Sequence, residues 1–195
     1  VAVISHLLGD EVDKIRNWVD YEYKDAKFAA IRQAIYSLRE TKRLLTVNVY
    51  GLGAMTHPGD LALVLQKAVT ETLHKHKINI AVPTDYENYI EQIRQNPEIW
   101  NHLIETHTAL SSVVADSDQL VESLSTGDLG IFHRVSDTLR EAQFDIRLNN
   151  DNIKQWLTEI QDRLAELGTY NGLLIVWDEF TDVMTDAIGV PVLKQ

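Results

Sequence analysis

Gly172-Leu173-Leu174-Ile175-Val176-Trp177-Asp178-Glu179-Phe180 is a run of apolar residues closed by two adjacent carboxylates. A segment that is apolar at every position suits a strand buried on both faces, as in the middle of a parallel sheet. The carboxyl end of such a strand is where open α/β sheets place their ligands. Two acids there are costly to desolvate unless a cation or a proton donor meets them. The stretch therefore points to an α/β fold class, and the remaining sequence has to supply the other parts of the sheet.

Upstream, Leu44-Leu45-Thr46-Val47-Asn48-Val49-Tyr50 is β-branched and apolar, is followed by Gly51 and Gly53, and reads as a second strand. After a loop through Met55-Thr56-His57, Pro58 suits the first position of a helix. Leu61, Val64, Leu65, Ala68, Val69 and Leu73 form its apolar stripe, and the helix is expected to end near His74-Lys75-His76-Lys77, whose cations favour the negative end of the dipole. Ile78 to Val82 reads as a further short strand, which gives a strand–helix–strand unit of parallel type.

The flanking sequence is helical. Residues 1–41 carry two apolar faces, Val12/Ile15/Trp18/Val19 and Phe28/Ile31/Ile35/Leu38, with Asp10 and Asp25 as N-caps. From Pro83 to Gly168 the period is again near 3.6. Thr84-Asp85-Tyr86-Glu87 matches a capping box, Asn96-Pro97 restarts a helix bearing Trp100, Leu103, Ile104 and His107, and Asp128 caps another bearing Phe132, Val135 and Leu139. Ile153, Trp156, Leu157, Ile160, Leu164 and Leu167 line the last helix, with Gly168 as its stop. The domain reading is N-terminal helices over 1–41, a partial α/β core over 42–82 and 170–195, and a large all-helical insertion over 83–169.

Composition narrows the function classes. The 195 residues are enough to bury a real core, and 45% hydrophobic with 24% charged residues is ordinary for a globular chain. No apolar stretch is long enough to cross a membrane, and no signal peptide is visible, so no membrane contact is expected. The absence of cysteine excludes disulfides, thiolate-bound zinc and thiol nucleophiles, and fits a cytoplasmic location. A formal charge of −11 disfavours binding to nucleic-acid phosphates by this chain, because counterion release requires clustered Lys and Arg. A chain that starts at Val1, with methionine only at Met55 and Met184, reads as a processed or excised piece.

The apolar run followed by Asp178-Glu179 resembles the Walker B segment of AAA+ and related P-loop ATPases. Such enzymes need a magnesium ion near the β and γ phosphates and a group that orients the attacking water. By that resemblance Asp178 serves the magnesium ion through its water shell, and Glu179 is the catalytic base. The strand Leu44 to Tyr50, its glycine-containing loop and the long helix after it resemble the second strand and helix of these ATPases. The phrase Val47-Asn48-Val49-Tyr50-Gly51-Leu52-Gly53, then His57-Pro58-Gly59-Asp60, is similar to the large ATPases of bacterial phage-resistance systems, the BREX type above all. The resemblance implies a partial P-loop-type parallel sheet, ATP and Mg as cofactors, and self-association or other protein subunits as partners.

One part is missing. The sequence has no G-x-x-x-x-G-K-[ST] loop and no Gly-Lys dipeptide, and Gly51-Leu52-Gly53-Ala54 lacks the lysine. The expectation is that the phosphate loop lies upstream of Val1, and that this chain alone hydrolyses nucleotide poorly or not at all. The alternative is a helical protein-interaction module without catalytic activity, anchored by aromatics such as Trp100 and Trp156. Other chemistry is weaker. His102 and His107 are five residues apart and point about 140° from each other on a helix, so with Glu105 they make no zinc motif, and His107 reads as part of the apolar stripe. His74 and His76 read as helix-end or solvent-facing residues, and Arg134, Arg140 and Arg147 as solvated helical arginines. There is no G-x-S-x-G nucleophile elbow.

Overall fold

The computed structural model describes residues 12–41, 43–50, 59–143 and 153–177. Their elements run α1 (Val12–Glu22), a 3-10 turn (Ala26–Phe28), α2 (Ala29–Thr41), β1 (Leu44–Val49), α3 (Asp60–Lys75), α4 (Asp85–Gln95), α5 (Pro97–Thr106), α6 (Thr108–Ser111), α7 (Ser117–Ser125), α8 (Leu129–Glu141), α9 (Ile153–Glu166) and β2 (Gly172–Trp177). The described chain is mostly helical, with a two-stranded parallel sheet. By contact it divides into two compact units: residues 1–54, 68–80 and 154–195 in a sheet unit, and 55–67 and 81–153 in a helical unit. The division differs from boundaries at 42, 83 and 170, because α9 falls with the sheet and the first two turns of α3 fall with the helices.

In the sheet unit, β1 and β2 pair in parallel, with Leu44 opposite Gly172 and Val49 opposite Trp177. The register is pinned at the amino ends. Asn171 N–H donates to the Arg43 carbonyl at 2.6 Å, and Arg43 N–H donates back to Asn171 Oδ1 at 2.8 Å. The Arg43 guanidinium lies over the buried Tyr170 ring at 5.3 Å, and His76 meets the same ring edge-on. Leu45, Val47 and Val49 on one face of β1 are buried, as is Thr46 on the other, while Asn48 is exposed. Leu173, Leu174 and Ile175 of β2 are only half-buried. The expected central strand buried on both faces is thus corrected: β2 is only partly covered, and among the described residues it has a strand neighbour on one side only. Val69 and Leu73 of α3, and Trp156, Ile160 and Leu164 of α9, are buried as their spacing predicts, whereas Leu167 lies past the helix end and is 54% exposed.

The expected strand at Ile78–Val82 is absent: these residues are irregular and join no ladder. A Schellman closure precedes them. Lys77 takes a left-handed φ of 56°, its N–H donates to His74 O, and Ile78 N–H donates to Leu73 O. The parallel partner of β1 is β2, from much later in the chain. At the N-terminal side, Trp18, Tyr23 and Phe28 stack edge-on in succession at 5.9 and 5.7 Å, joining α1 to the 3-10 turn that precedes α2. Asp25 precedes the 3-10 turn but makes no side-chain cap, while Asp10 lies outside the described residues.

The helical unit follows local signals closely. Thr84 caps α4 with a complete box: Glu87 N–H donates to Thr84 Oγ1 at 3.2 Å, and Thr84 N–H donates to Glu87 Oε2 at 2.7 Å. Pro97 sits in the first turn of α5, and Asp128 Oδ1 accepts from Gly130 and Ile131 N–H at the start of α8. Asp116 caps α7 in the same way through Gln119 N–H. Tyr86, Tyr89, Ile93, Trp100, Leu103, Ile104, Leu120, Leu124, Phe132 and Val135 form one apolar core. Both Tyr86 and Tyr89 set their rings edge-on to Phe132 at 5.1 Å.

Candidate functional site

Residues Asp178 and Glu179 lie outside the described residues, as do His57, Pro58 and Arg147. What the structure places is the strand end that leads to them. Parallel pairing brings the carboxyl ends of β1 and β2 side by side, with Trp177 opposite Val49, and Asp178 is the next residue in sequence. Tyr50, which follows Val49, is 68% exposed.

The helical unit holds a polar group that the sequence reading did not single out. Asp60, the first residue of α3, is 2% exposed, and its Oδ1 lies 2.6 Å from Nε2 of His133 on α8. Gly59 precedes it with a φ of 98° and accepts the Leu63 N–H, so glycine suits this helix start. Gln66 and Asp85 are each 4% exposed, and Asp85 N–H donates to Gln66 Oε1 at 3.0 Å. Lys67 Nζ reaches the carbonyls of Thr126 and Gly127, and the Tyr86 hydroxyl donates to the Gly127 carbonyl. Burial pushes the Tyr86 phenol well above its ordinary range, with Asp128, Asp60 and Asp85 adding to the effect; burial does the same to Tyr89, helped by Asp85. Asp60 and His133 stand 73 positions apart, so no local motif could have paired them.

Other residues weighed from sequence stay dispersed. His102 and Glu105 are exposed on α5. His107 does not fill the apolar stripe: it caps the helix, with Nδ1 3.0 Å from the Leu103 carbonyl, because its backbone has already turned extended. Arg134 donates to the Ala109 carbonyl, and Arg140 pairs with Asp137 on its own helix. Trp100 is buried in the core rather than presented at a surface. Among the described residues no three His, Asp or Glu converge as a metal-ligand set, and no helix is long and apolar enough to cross a membrane. Comparison of the chain with family models, with curated proteins and with solved structures finds no match.

Proposed function

We propose that this chain supplies the magnesium-binding and water-activating strand of a P-loop ATPase, with Asp178 holding the hydrated ion and Glu179 acting as general base. The observation that carries the reading is the parallel pairing of β1 and β2, whose last described pair, Val49 with Trp177, stands directly before Asp178-Glu179 in sequence. A rigid strand end lets a carboxylate meet a hydrated cation without reorganising, and the neighbouring acid can then serve the attacking water. ATP and Mg would be the cofactors, and a phosphate-binding loop would have to come from residues outside Val1–Gln195. Self-association or other subunits would then use the energy of hydrolysis.

The test is ATP turnover by the natural gene product that contains this sequence. Glu179→Gln is expected to lower kcat about 100-fold or more while Mg·ATP binding persists, and Asp178→Asn to weaken the Mg-dependent part of binding. Unchanged turnover in Glu179→Gln, or no nucleotide binding by the natural product, overturns the reading. A helical interaction module is the second reading, and it draws on the separate core of the helical unit. Its contacts would have to come from Ile99 and Val113, which are half-exposed, instead of Trp100.

A further inference from the structure

Asp85 opens α4 with its carboxyl group buried, and its Oδ2 has no hydrogen-bond partner among the described residues. Each nearby group that could meet it is committed elsewhere or carries no positive charge. Gln66, from the first turns of α3, offers only a neutral amide. Lys67 is engaged with the Thr126 and Gly127 carbonyls, and His133 is paired with Asp60. Glu87 closes the capping box, and Tyr86 and Tyr89 on the same helix are neutral phenols within electrostatic reach of Asp85. Asp128, at the start of α8, adds a further negative charge near Tyr86. A metal ion does not fit, because no three ligands converge among the described residues. The dipole at the start of α4 favours a carboxylate only modestly. A buried carboxylate with one oxygen unmet is relieved most simply by a proton.

We propose that Asp85 is a proton-uptake site of the helical unit, which binds a proton there more readily than an ordinary Asp and is tightened by it at the contact between the first turns of α3 and α4. Burial holds this carboxyl above the ordinary Asp range, and the Gln66 side chain pulls it only partly back. Between the ordinary value and the raised folded value, the folded chain holds more protons than the unfolded chain. Stability therefore falls as pH rises through that window and is recovered on acidification. Ionised, Asp85 strains the α3–α4 contact; neutral, it leaves the Gln66 hydrogen bond in place without the cost of a buried charge.

Carboxyl-carbon NMR on the full 195-residue chain tests this directly. The Asp85 signal is expected to titrate with a midpoint above the ordinary Asp value of 3.8; a midpoint at or below that value overturns the proposal. Urea unfolding gives an independent reading. As pH falls from about 7 toward the ordinary Asp value of 3.8, the midpoint of the parent chain should gain relative to that of Asp85→Asn. Equal shifts in the two proteins refute the proposal. If the variant does not fold, the NMR midpoint alone decides.

Discussion

The helical unit and the sheet unit are built on different kinds of information. The starts of α4, α5 and α8 fall beside residues read from the sequence, Thr84, Pro97 and Asp128, and the apolar side chains then follow at helical spacing. The sheet unit rests on a partnership between Arg43 and Asn171, which stand 128 positions apart. Contacts close in sequence form with little loop entropy, whereas the β1–β2 pairing must close a long loop before it gains anything. The difference teaches that local order in this chain can be read one helix at a time, and that its sheet cannot.

Substitutions can break or sharpen that contrast. Phe132→Ala is expected to have the largest effect on stability, about 3–5 kcal/mol, because Phe132 is 2% exposed and stands between two tyrosine rings. Hydrogen exchange should show the loss of protection in α4 and α8; an equal loss in β1 would erase the distinction between the units. His133→Ala comes next, at about 2 kcal/mol, since it leaves the buried Asp60 carboxylate without that partner. Urea unfolding measures it, and a cost near zero would remove the Asp60–His133 pair from the account of the helical unit. Lys77→Gly is the smallest and runs the other way, stabilising by about 0.5–1 kcal/mol, because Lys77 holds a left-handed φ of 56° that glycine adopts freely. A lower melting temperature in that variant would mean that the Lys77 side chain contributes more than its backbone costs.

Legibility tracks the same contrast. The capping box at Thr84 and Glu87, the Asp128 cap, the stop at Gly168 with φ of 66°, and the buried Val64, Leu65, Val69 and Leu73 of α3 and Trp156, Ile160 and Leu164 of α9 are local patterns found where the sequence places them. Ile78–Val82 misleads because its alternation satisfies strand spacing, yet it follows directly on a helix closure and finds no ladder. The Asp60–His133 pair was invisible for a different reason: the two residues stand 73 positions apart, and only the tertiary fold brings them together. For the acidic pair after β2, the proposed chemistry rests on the sequence, and the structure supplies only the strand residues that precede it.

The clasp between Arg43 and Asn171 has a consequence for evolution and engineering of the chain. Two reciprocal hydrogen bonds ahead of the first ladder residue act as a fixed origin from which every later position in both strands is counted. Deleting or inserting one residue between Gly172 and Trp177 would leave that origin in place, yet send position 178 out one step early or late. Because alternate residues face opposite sides of a strand, such a change inverts everything downstream of it. Tolerance to length changes should therefore be sought outside the segment from Asn171 to Trp177.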